Sequence, residues 1–153
     1  MAEHPGTEKL DAWVGMLVTV SSVLRKLEAE MLEKHGLSMT WFDVLNRLDQ
    51  APDGRLRMHE LEVASVFTRS GMTRLADRLE EAGLVRREPA TGDRRGVTLS
   101  ITDAGTATLR TVWPDHLRGL QEHFAGHITI ADAKAIRAAT TKIVGQPPPG
   151  RHG

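Results

Sequence analysis

Between Pro52 and Ile101 the chain carries nine basic side chains, and all nine are arginine. Arginine presents a planar fork of donors that matches phosphate oxygens and guanine edges, so this choice points toward nucleic-acid chemistry. Arg69, Arg74 and Arg78 fall in one short segment, and Arg94 and Arg95 follow Asp93 in a turn-rich stretch. Residues 1–51 hold five basic and eight acidic side chains, a balance of −3. Residues 52–101 hold nine and eight, for +1, and residues 102–153 hold six and four, for +2. The sum over 153 residues is zero. A neutral chain has no long-range pull on DNA, so the placement of the arginines carries the argument.

Other chemistries find less support. His123 and His127 are spaced i, i+4, which can set two imidazoles on one helix face for a metal, and His116 precedes His123 by one heptad. His127 follows Gly126 at a helix end, so solvent-facing or interface histidines are expected and no metal is assigned. The absence of Cys excludes disulfides, thiolate zinc sites, cysteine nucleophiles and thiol redox sensing. There is no phosphate-binding Gly-rich loop, no G-x-S-x-G elbow and no H-E-x-x-H, so no catalytic residue and no cofactor are expected. Aromatic residues make up only 4%, which argues against stacking on single-stranded nucleic acid. No apolar run is long enough to span a bilayer, and the N-terminus has no signal-peptide core. A cytoplasmic protein without a membrane segment is expected.

Elements must position these arginines. Leu10, Trp13, Leu17, Val20, Leu24, Leu27 and Met31 recur at spacings of three and four and predict one helix over about 7–34. Such a helix is about 40 Å long, more than one small core needs, and suits a subunit interface as well as a core. Gly36 ends it, and Ser38 or Thr40 caps a second helix through Gln50, with Trp41, Val44, Leu45 and Leu48 inward. Leu56–Met58 reads as a short strand and His59–Ala64 as a brief helix. Thr68 reads as the N-cap of a helix over Arg69–Ala82, closed by Gly83, with Met72, Leu75, Ala76 and Leu79 buried. Leu84–Glu88 and Val97–Ile101 read as strands around a charged hairpin tip. Thr102 caps a fifth helix to about Ala125, with a kink or break expected near 111–113 from Pro114. Thr129 caps a last helix through Val144, and 146–153 reads as a disordered tail.

A short helix, a tight turn, a capped helix and an arginine-tipped hairpin make a winged helix-turn-helix. The capped helix fits the major groove, and the wing carries arginine toward the minor groove. The expected fold is mainly α with a small antiparallel β wing, and its terminal helices serve dimerisation. The expected divisions are a dimerisation helix (1–35), a DNA-binding domain (36–101), dimerisation helices (102–145) and a tail (146–153).

Four strings then resemble the MarR family of regulators. They are Thr68-Arg69-Ser70-Gly71-Met72-Thr73-Arg74-Leu75, Leu79-Glu80-Glu81-Ala82-Gly83-Leu84-Val85, Asp93-Arg94-Arg95-Gly96 and Leu99-Ser100-Ile101-Thr102-Asp103-Ala104-Gly105. Their order matches that family's recognition helix, turn into the wing, wing tip and fifth-helix start. Glu62 and Ser65 depart from it, standing where the family has small or apolar residues. The resemblance implies a homodimer that binds pseudo-palindromic double-stranded DNA, mostly as a repressor, and is released by a small phenolic or lipophilic ligand. It implies that Arg69, Ser70, Thr73 and Arg74 face the major groove beside Thr68, with Arg78 nearer the backbone. Arg94 and Arg95 become the wing tip, with Arg94 favoured for the minor groove and Asp93 holding the other. It also implies a ligand pocket near Trp13, Leu17, Trp41 and Trp113, for which packing in the core is the competing explanation.

Arg86 and Arg87 adjoin in a strand, so one is expected at phosphate and the other in a structural role. A solvated face with Asp77, Glu80 and Glu81 as partners is the plain explanation of the helix arginines. The alternative to a DNA-binding regulator is a winged-helix protein-interaction module.

Overall fold

The computed structural model describes residues 6–63, 69–90 and 96–145, with residues 62, 63, 69 and 70 described by backbone. The order is α1 (Thr7–His35), α2 (Met39–Gln50), β1 (Arg55–Arg57), α3 (Met58–Val63), α4 (Arg69–Glu81), β2 (Val85–Pro89), β3 (Val97–Ile101), α5 (Asp103–His123) and α6 (Ile130–Val144). The backbone groups into two compact units. One is Leu24–His116; the other is Met1–Val23 with Leu117–Gly153.

The Leu24–His116 unit is built around local signals that agree with one another. Gly36, at φ 61, ends α1, and its N–H donates to Leu32 O at 2.9 Å. Ser38 caps α2, its hydroxyl accepting from Trp41 N at 3.2 Å. The carboxylate of Glu28 accepts from Met39 N, satisfying a second free donor of that first turn. Leu37 and Phe42 flank this cap at hydrophobic-staple positions and both join the buried core. Pro52-Asp53-Gly54 turns the chain into β1, with Asp53 at φ 57 and Gly54 at φ 66.

The sheet is antiparallel in the order β1-β3-β2. Leu56 pairs with Leu99, and Arg87 also pairs with Leu99 from the other side. Leu45, Leu48, Leu61, Met72, Leu79 and Leu99 are fully buried and form the centre of the core. Each such side chain contributes roughly 1.5–3 kcal/mol relative to exposure.

Helix α5 starts on Thr102, whose hydroxyl accepts from Gly105 N at 3.1 Å. Of the kink or break expected at Pro114, the break does not occur, and the helix runs unbroken to His123. Proline removes one backbone donor and crowds the preceding turn. Here Leu109, Val112 and His116 are buried on either side of it and hold the helical path.

In the other unit, α6 is capped by a reciprocal box. Thr129 Oγ1 accepts from Asp132 N at 3.2 Å, and Asp132 accepts from Thr129 N at 2.9 Å. Gly145, at φ 79, closes it, its N–H donating to Thr141 O at 2.9 Å. No residue of α6 is buried. On α1 only Leu27 and Met31 are buried, while Trp13, Val14, Leu17, Val18 and Val20 are exposed. No helix among the described residues is long and apolar enough to cross a membrane.

Candidate nucleic-acid interface

Helix α4 separates its faces as its periodicity dictates. Met72, Leu75, Ala76 and Leu79 are buried, and Thr73, Arg74, Asp77 and Arg78 are exposed. Two arginines and a threonine thus stand on the outward face, positioned by a stripe that cannot leave the core. Arg69 and Ser70 occupy the first turn of the same helix by backbone. Thr68 lies outside the described residues.

The C-terminal end of α4 is fixed to its neighbours. Leu84 N donates to Leu79 O at 3.0 Å and Gly83 N to Glu80 O at 2.9 Å, the paired bonds of a Schellman turn, with Gly83 at φ 73. The hydroxyl of Thr102 donates to Gly83 O at 2.7 Å, and Thr102 N donates to Leu84 O at 3.1 Å. One threonine therefore caps α5 and holds the turn into the wing.

The two adjacent wing-strand arginines part company. Arg87 donates to the Asp77 carboxylate, to Glu80 Oε2 at 3.3 Å and to Thr73 O at 3.0 Å. Arg86 is exposed on the opposite side of the strand. It shares a cross-strand row with Ser100 and Arg55, and the next row holds Arg57, Thr98 and Glu88. Arg55 Nη1 lies 3.8 Å from Glu88 Oε2. Arg55 and Arg57 escaped the sequence reading, because a three-residue strand gives too little alternation to show that they share a face with Arg86.

The hairpin closes through Ala90 N donating to Gly96 O at 2.9 Å. Asp93, Arg94 and Arg95, the expected wing tip, lie outside the described residues.

The residues expected near a ligand fall in different units. Trp41 and Trp113 are half-buried against the core of the Leu24–His116 unit, whereas Trp13 and Leu17 are exposed on α1 in the other. Trp113 stacks on Phe42 with ring centres 5.7 Å apart, and buried His116 lies 4.4 Å from Phe42. Beside this cluster His35 Nε2 is 2.9 Å from Asp115 Oδ2, and Lys34 Nζ is 3.5 Å from Asp115 Oδ1. Phe42 was not singled out in the sequence, although its place four residues into α2 opposite Leu37 was a usable signal. His127 lies beyond the end of α5 in a short 3-10 turn, its Nε2 2.9 Å from the Glu122 carbonyl. It therefore does not share a helix face with His123.

Comparison with known proteins gives the same assignment. A MarR-family profile matches residues 35–96. The HTH-type transcriptional regulator PecS of Dickeya dadantii (strain 3937) is 34% identical over 106 residues, 68% of this chain and 63% of PecS. The chain thus spans less than two thirds of that relative. The transcriptional repressor MprA of Escherichia coli (strain K12) is 33% identical over 125 residues, 82% of this chain and 70% of MprA. Sco3205, a MarR family transcriptional regulator from Streptomyces coelicolor solved in complex with DNA, superposes with a TM-score of 0.83 at 26% identity. That match covers 95% of this chain and 90% of Sco3205. With its α4 closed by a Schellman turn, its antiparallel wing strands and relatives of this identity and coverage, the chain belongs to the MarR family of transcriptional regulators.

Proposed function

We propose that this protein is a dimeric transcriptional regulator that binds double-stranded operator DNA sequence-specifically, acting as a repressor relieved by a small ligand. The observation that carries the reading is the outward face of α4, where Thr73, Arg74 and Arg78 stand above a buried stripe. A helix so anchored presents donors to a major groove without losing its packing. Arg69, Ser70, Thr73 and Arg74, with Thr68, read base edges; Arg78 and Arg86 contact phosphates. Arg94 enters the minor groove while Asp93 holds Arg95. Exposed Trp13, Val14, Leu17 and Val18 on α1, with Ile130, Ile136 and Ile143 on α6, supply the dimer surface. A phenolic or lipophilic ligand acts by changing the spacing of the two recognition helices. The role is binding rather than catalysis, and it is exercised in the cytoplasm, where the chromosome of a bacterial cell lies.

The test is binding to duplex from beside the protein's own gene and to a scrambled duplex, titrated with salt. The expected result is a footprint with two half-sites about one helical turn, roughly 34–36 Å, apart. Equal affinity for both duplexes at every salt concentration would overturn the reading and favour a protein-interaction module.

A further inference from the structure

We propose that Arg87 is a positioning residue that fixes the wing against the recognition helix and thereby sets DNA specificity. The proposal rests on the DNA-binding reading above.

The join between α4 and β2 is a short turn around Gly83. Thr102 and the pairing of β2 with β3 hold the base of the wing strand, but neither reaches the outward face of α4. Arg87 lies four residues past Gly83, at least ~10 Å along an extended chain, and ties the strand directly to the face of α4 at a point separated from the turn. Its main-chain N–H donates to Glu80 Oε1 at 2.9 Å. Its guanidinium donates to Asp77, to Glu80 and to the main-chain oxygen of Thr73. Thr73 to Glu80 covers two turns of helix, about 10 Å. Two separated attachments define an orientation, where one defines only a distance. Thr73 is also the neighbour of Arg74, so movement at the clamp moves the reading face relative to the hairpin.

The geometry needs arginine. A planar fork reaches carboxylate and carbonyl acceptors together, whereas lysine offers a single ammonium. The register is equally specific. Arg87 pairs with Leu99, whose side chain is buried in the core, and Arg86 one residue earlier is exposed.

Charge alone predicts the opposite outcome, which makes the idea testable. Asp77 and Glu80 are carboxylates on a helix meant to meet DNA, so general electrostatics expects their neutralisation to tighten binding to any duplex. If they are clamp acceptors, their neutralisation weakens operator recognition.

The experiment compares full-length wild type, Asp77→Asn/Glu80→Gln and Arg87→Lys. Each is titrated with operator and scrambled duplex at several salt concentrations, with circular dichroism and thermal midpoint recorded. The double variant is expected to lose about tenfold of its operator preference while scrambled binding holds or tightens. Arg87→Lys, which keeps the charge, is expected to lose preference in the same way. A double variant that binds operator more tightly with undiminished preference overturns the proposal, as does Arg87→Lys with wild-type preference. If the double variant does not fold, Asp77→Asn alone is read by the same criterion, since it removes one arm at an exposed position. Wild type that prefers no duplex overturns the DNA-binding reading and this inference together, and that failure is visible without any variant.

Discussion

At Gly105 a Cβ would sit 2.2 Å from Leu84 O and 2.8 Å from Ile101 Cγ1, so the first turn of α5 is in backbone contact with the turn leaving α4. Gly105→Ala must push these apart, and overpacking of this kind costs about 1–3 kcal/mol. Urea titration should show a lower midpoint with an unchanged slope. The proposed DNA contacts give the arginines different roles at the same scale. Arg74→Ala should lower operator preference by about 1–3 kcal/mol, because a bidentate base contact discriminates by that amount. Arg94→Ala with Arg95→Ala should weaken operator and random DNA alike and flatten the salt slope by about 0.9 per phosphate no longer neutralised. Binding isotherms on both duplexes across salt distinguish the two patterns. Sequence alternation established that Arg86 and Arg87 face opposite ways. It did not show which turns inward, since that depends on Asp77 and Glu80 arriving from another element. The outward residues of α4 were legible because their inward neighbours repeat with the helical period.

Helix α6 carries its own pH dependence. The Thr129 hydroxyl, and then its backbone N–H, donate to the Asp132 carboxylate and hold its pKa below the ordinary value of 3.8. A depressed carboxylate stabilises the helix above its unfolded pKa, and this contribution disappears as pH falls through the folded value. Asp132→Asn should therefore lose helix content less steeply on acidification than wild type, as read by far-UV circular dichroism. Capping signals made the helices legible: Gly36, Ser38, Gly83, Thr102 and Thr129 each mark an end in the sequence and in the structure. The β3 bounds, Val97–Ile101, also follow from their alternation and flanking turns. Pro114 does not break α5, and a local propensity rule misses this because it does not register the packing of Leu109, Val112 and His116 around it. The strand β1 was displaced by one residue, as three residues hold too little pattern to fix an edge.

At the scale of the whole molecule, an α6 without a single buried residue and an α1 exposing a row of large apolar side chains are the surfaces that the proposed dimer would cover. Val18, 63% exposed, and Ile136, 43% exposed, are the places to test this. Val18→Glu or Ile136→Glu should give monomers by sedimentation at concentrations where wild type is dimeric, with operator affinity lost in parallel. With zero Cys, DNA binding should survive mild peroxide, and a loss reversed by dithiothreitol would contradict the absence of a thiol switch. The three tryptophans give this assembly its own optical reporter. The chain has no Tyr, so emission excited beyond the phenylalanine band belongs to indole alone. Trp13 is 56% exposed in the single subunit, whereas Trp113 is stacked on Phe42 and lies 5.9 Å from the His116 ring. Dilution should therefore shift the emission to longer wavelength as Trp13 meets solvent. Trp13→Phe should abolish that shift and leave the Trp113 component in place, so that subunit exchange can be followed without attaching a dye.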